Sequence, residues 1–147
     1  FAIPASLIVN LNLNIENGKI LIIWIFIIIW SCDIFGYLFG KILKGPKLIA
    51  SVSPNKTWSG FIASIIFASL SSATYGYLLN LETPSKAFKL GFIVSLFAVA
   101  GDLFESYLKR KNNKKDVSNL IPGHGGLLDR LDSFLFAIVI FWLLIVF

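Results

Sequence analysis

An all-α, polytopic integral membrane protein, with about four transmembrane helices and a polar cytoplasmic loop, is the fold class this sequence predicts. Composition gives the first reason: 56% of the 147 residues are hydrophobic and only 14% charged, where soluble domains carry roughly 25% charged residues. Mean hydropathy is +0.80, so lipid is the default solvent. The second reason is run length, since a helix needs about 20 mostly apolar residues to cross a bilayer and several stretches supply them. The third is punctuation, because breaker residues separate those stretches.

Taken in order, residues 1–13 are apolar but too short to span, and read as the remnant of an earlier span. Residues 20–43 form the first full candidate, with unbroken apolar runs at 20–23 and 26–29. Residues 58–79 form the second, rich in the Ser and Ala that let helices approach closely in lipid. Residues 88–107 and 127–147 form the third and fourth. Asn14-Ile15-Glu16-Asn17-Gly18, Gly45-Pro46, Ser53-Pro54-Asn55, Thr83-Pro84 and Pro122-Gly123 connect them. No repeat or low-complexity tract divides the chain, so residues 1–147 read as a single membrane-embedded domain. The absence of Met and the start at Phe-Ala-Ile-Pro lead us to expect a fragment of a longer protein. The lone Cys32 cannot form an internal disulfide and says little about compartment.

The cations set the orientation. Lys41, Lys44, Lys47 and Lys56 follow the first full span, and Lys109, Arg110, Lys111, Lys114 and Lys115 follow the third, whereas only Lys19, Lys86 and Lys89 lie in the other connections. Two loops separated by two spans face the same side, and the positive-inside tendency makes that side cytoplasmic. The two basic loops can therefore meet. A net charge of +5 gathered beside apolar spans favours phosphate groups at a bilayer surface over nucleic acid.

The acids are the expensive residues. Asp33 lies inside the first full span, Asp102 and Glu105 at the end of the third, and Asp129 and Asp132 at the start of the fourth. A charge at the bilayer centre costs roughly 3 kcal/mol on insertion scales, so it faces a polar cavity or finds a partner. Asp102 with Glu105, and Asp129 with Asp132, are i,i+3 pairs, each on one helical face. Carboxylates brought together repel unless a cation relieves them, and oxygen-only ligands suit Mg²⁺. The plainer reading is that each acid pairs with a nearby base, as Glu105 can with Lys109 at i,i+4. Pro122-Gly123-His124-Gly125-Gly126 precedes a helix start, where free N–H groups suit a phosphate oxygen. His124 alone is an ordinary loop residue and is given no acid–base role. In Ser53-Pro54-Asn55-Lys56-Thr57-Trp58, Ser53 or Thr57 reads as a helix cap and Trp58 as an interfacial anchor. The same segment also puts Lys56 and hydroxyls where a phosphate can be held.

The series Ser106, Leu108, Lys109-Arg110, Lys115-Asp116, Ser118, Ile121-Pro122, His124-Gly125-Gly126, Asp129-Arg130, Asp132 resembles the signature of the phosphatidate cytidylyltransferases, also called CDP-diacylglycerol synthases. Gly101-Asp102-Leu103 with Glu105, the Ser-Pro-x-Lys-Thr run at residues 53–57, and Asp33 with Tyr37, Gly40 and Lys41 resemble the family's upstream motifs. Asn55, Ser59 and Ala63 depart from its common residues. The family also has further N-terminal spans that these 147 residues lack.

The resemblance implies cytidylyl transfer from CTP to phosphatidic acid, giving CDP-diacylglycerol and pyrophosphate with Mg²⁺; a second metal or a monovalent ion is left open. It implies Asp102, Asp129 and Asp132 as metal ligands, and Lys109, Arg110, Lys115 and Arg130 as phosphate clamps. Glu105 and Asp116 orient those cations, while Ser53, Lys56 and Thr57 face a phosphate from the opposing loop, and His124, Gly125 and Gly126 complete the substrate contacts. Membrane lipid is a partner, nucleic acid is not, and a homodimer is left open. The bacterial inner membrane is the expected location, with the active site facing the cytoplasm. A proton-coupled carrier would also hold acids in its spans, but it does not call for a surface cassette dense in Lys, Arg and Gly; a non-catalytic scaffold would need neither. The Asp-x-x-Asp-Gly-x-x-Ala-Arg pattern of CDP-alcohol phosphotransferases is missing, since Ser133 follows Asp132.

Overall fold

The computed structural model describes residues 2–14, 17–111 and 128–146, with side chains at 3–13, 17–111 and 134–146. These residues form five helices and one short hairpin. They run α1 (Ala2–Asn14), α2 (Gly18–Leu43), β1 (Lys47–Ile49), β2 (Ser53–Thr57), α3 (Trp58–Leu78), α4 (Pro84–Lys111) and α5 (Leu128–Val146). The expected helical membrane architecture holds: α2, α3 and α4 are each long and apolar enough to cross a bilayer. In α5, the apolar stretch among the described residues is Phe134–Val146. The segment read as a short remnant is a helix in its own right, packed against α2 and α5. Asn10 Oδ1 in α1 accepts a hydrogen bond of 3.1 Å from Trp142 Nε1 in α5.

Helices adjacent in sequence pack side by side, α2 on α3, α3 on α4 and α4 on α5. Hydrophobicity does not drive apolar helices together in lipid, so close packing and hydrogen bonds must do it. α2 supplies bulk, burying Trp24, Ile25, Ile28, Ile29 and Cys32 along one stripe. α3 supplies grooves. Its buried Gly60, Ser64, Ala68, Ser72 and Gly76 recur every fourth residue, which lays a seam of small side chains down one face. α4 answers with buried Ala87, Gly91, Ser95, Ala98 and Gly101.

Gly60 marks a close approach between α2 and α3. A Cβ there would lie 2.5 Å from the Gly36 carbonyl oxygen and 3.1 Å from the Gly40 Cα, and both obstacles are backbone. Gly60→Ala is therefore expected to push α2 from α3 and cost ~1–3 kcal/mol, read as a lower Tm of the full-length protein in detergent. An unchanged Tm would contradict the contact.

The hairpin was not foreseen from sequence. β1 and β2 are antiparallel, with Lys47 opposite Thr57 and Ile49 opposite Ser53, and the register shifts between those pairs. That irregularity accommodates Pro54, which has no N–H to give a ladder. Trp58 N donates to the Pro46 carbonyl at 3.1 Å. Thr57 then caps α3, accepting from Gly60 N–H at 3.3 Å; of the two residues expected as caps, Thr57 takes the role.

Candidate active site

Where the hairpin meets the ends of α2 and α4, a cleft of 690 Å³ opens. α2 lines it with Asp33, Gly36, Tyr37, Gly40 and Lys41, residues spaced so that successive turns present the same face. Lys47, Asn55, Lys56 and Thr57 enter from the hairpin, Gly60 and Ser64 from α3, and Ala98 and Asp102 from α4. The glycines bring the walls together: a Cβ on Gly40 would stand 3.1 Å from Thr57 Oγ1, and one on Gly36 3.2 Å from Ser64 Cβ.

Lys56 Nζ reaches across from β2 and pairs with Asp102 Oδ2 on α4. The two side chains are 30% and 32% exposed, so the pair sits at the cleft wall rather than in open water. Ser106 Oγ, one turn on, lies 3.5 Å from Asp102 Oδ1 as a donor. Further along the same helix, Lys109 Nζ is 2.9 Å from Glu105 Oε1, the i,i+4 pairing that the sequence made available. Arg110 Nε donates to the Val52 carbonyl at 3.4 Å, tying the end of α4 to the hairpin. The two basic regions thus meet, as their separation by two spans allowed. At the other rim Lys41 Nζ stands 5.8 Å above the Tyr37 ring, a cation–π contact.

Of the expected site residues, Asp102, Lys56 and Thr57 share the cleft, and Asp33 joins them. Ser53 begins β2; it, Glu105, Lys109 and Arg110 lie outside the described lining. Lys115, Asp116, His124, Gly125 and Gly126 lie outside the described residues. Asp129, Arg130 and Asp132 fall in the first turns of α5, and their side chains lie outside the described set. The expected meeting of Asp102 with Asp129 and Asp132 therefore involves side chains beyond the described set. Among the described residues no three metal-ligating groups come together. Sequence reading overlooked Gly36 and Gly60, although their pairing with Gly40 and Ser64 at four-residue spacing is the available signal. The direct Lys56–Asp102 pair had no local signal at all.

Known proteins locate this arrangement in a family. Residues 1–147 match the Cytidylyltransferase family. The chain is 41% identical over 138 residues to a phosphatidate cytidylyltransferase of Rickettsia felis, covering 89% of this chain and 60% of that one. It is 42% identical over 147 residues to that of Rickettsia typhi, covering 95% and 64%. With a phosphatidate cytidylyltransferase of Helicobacter pylori it shares 40% identity over 121 residues, covering 82% and 45%. It spans about three fifths of the length of these Rickettsia proteins. A match along its whole length, together with these identities, establishes that the chain belongs to the Cytidylyltransferase family.

Proposed function

We propose that the protein transfers a cytidylyl group from CTP to phosphatidic acid, forming CDP-diacylglycerol and pyrophosphate. The observation that carries this reading is the cleft at the span ends, where an acid from α4 and a lysine from the hairpin face each other. One substrate is dissolved in the cytosol and the other anchored by acyl chains, so a polar cleft beside lipid suits both. A phosphatidate oxygen attacks the α-phosphorus of CTP, one P–O bond forms, the α–β bridge breaks, and pyrophosphate leaves with the electron pair. The nucleophile is already ionised, so no base is required, and His124 needs no such role.

The obstacle is repulsion between two polyanions, and it is met by fixed cations. Lys56 offers an ammonium at the cleft wall. Lys109, held by Glu105, and Arg110, Lys115 and Arg130 supply more, with Asp116 orienting them; Arg can grip phosphate bidentately. Ser53 and Thr57 offer hydroxyls, and Gly125 and Gly126 would contribute backbone N–H groups. Asp102 presents hard carboxylate oxygens with a cation, Lys56, already beside them, a donor chemistry that fits Mg²⁺. Asp102, Asp129 and Asp132 would hold that ion, and when bound it would neutralise phosphate oxygens and the charge growing on pyrophosphate. Clustered lysines beside the spans support a cytoplasm-facing site in the bacterial inner membrane.

The test is incorporation of radiolabelled CTP into lipid by the full-length protein. Label is expected in the lipid fraction only when phosphatidate and magnesium are both supplied. Incorporation without phosphatidate, or none under any condition with folded protein, would overturn the reading.

A further inference from the structure

Asp33 is an acid inside a spanning helix that the reaction described above does not use. It lies in α2, whose most apolar window has a mean hydropathy of 2.2, and an unpaired charge in such a segment is costly. Yet among the described residues it forms no ion pair and no side-chain hydrogen bond. It lines the same cleft as Lys56 and Asp102, and those two are the charged groups whose fields reach it. The other lysines on the lining, Lys41, Lys44 and Lys47, are exposed at the rim. Lys56 comes from the opposite wall on a flexible four-carbon stem with three donors, and among the described residues only Asp102 holds it.

We infer that Asp33 is a positioning residue for Lys56, a second carboxylate that takes up the ammonium whenever Asp102 is engaged by another cation. Two acids on facing helices share one lysine, so Lys56 always has a carboxylate partner. Its use in the reaction rests on the proposed role of Asp102; the sharing itself does not.

The test is a cycle of Tm measurements on the full-length protein in detergent, with divalent ions chelated and neither CTP nor phosphatidate present. Asp33→Asn alone is expected to leave Tm unchanged or slightly raised, because it removes a lone carboxylate. Asp102→Asn alone is expected to lower it by no more than ~2 °C, since Lys56 can move to Asp33. The double variant strands Lys56 and should fall by about 2–4 °C beyond the sum of the two. Adding Lys56→Met to the double variant should restore most of that loss, including recovery of folded protein if the double variant cannot be purified.

Additive single effects, or a penalty that survives Lys56→Met, would overturn the inference; the latter would indicate that Asp33 serves a cation of its own. Because no substrate is present, this cycle can fail while cytidylyl transfer stands, and the reverse.

Discussion

Asp102→Asn is expected to lower the kcat for CTP incorporation into lipid by at least ~100-fold, the scale on which loss of an electrostatic group in a preorganised site is felt. Asn matches the shape of Asp and can still accept from Ser106, which donates across 3.5 Å to Oδ1, but it carries no charge. It cannot balance Lys56, its partner across the cleft, and it is a poor ligand for a hard divalent ion. The effect should fall on turnover more than on stability, because the pair is about one-third exposed at 30% and 32% and exposed pairs contribute little to folding. The measurement is initial rate against CTP and magnesium, with Tm taken in parallel. Full magnesium-dependent turnover in this variant would remove Asp102 from the mechanism.

Trp24→Ala is expected to be the most damaging single change to stability, at about 3–5 kcal/mol. Trp24 is fully buried. Its Nε1 donates to Ser72 Oγ at 3.0 Å, and Ser72 Oγ donates in turn to the Ala87 carbonyl at 2.7 Å. One side chain therefore links α2 to α3, and through Ser72 to α4. Its ring meets Phe141 of α5 edge-on at 6.0 Å and lies 6.1 Å from Tyr75. Lipid offers no hydrophobic drive to close the resulting hole, so lost packing is lost association. Trp24→Phe keeps most of the volume and gives up one hydrogen bond, for about 1 kcal/mol. Thermal unfolding of both variants in detergent separates the two contributions. Equal losses would assign the stability to the hydrogen bond instead of the volume.

How far the sequence could be read follows from the range of each interaction. The spans were legible because bilayer thickness fixes how many apolar residues a crossing needs, and α2, α3 and α4 meet that length. Glu105 with Lys109 was legible because an i,i+4 relation is local, and so was the Thr57 cap. The hairpin was not: three residues at Lys47–Ile49 and five at Ser53–Thr57, one of them Pro54, leave no periodic signal. Nor was the Lys56–Asp102 contact, whose partners stand 46 residues apart, one on β2 and the other on α4. Asp33 was legible as an anomaly, but the groups that share its cleft come from other elements and were not.

The fourfold spacing along α3 also governs where this chain tolerates a change in length. One residue inserted just after Gly60 would turn everything beyond it by about 100°, carrying Phe67 and Tyr75 to the positions now held by Ala68 and Gly76. Two aromatic rings cannot enter a groove shaped for a methyl and a hydrogen. Insertions and deletions are thereby confined to the corners between rods, such as residues 79–83, where no interlocking face has to stay in phase.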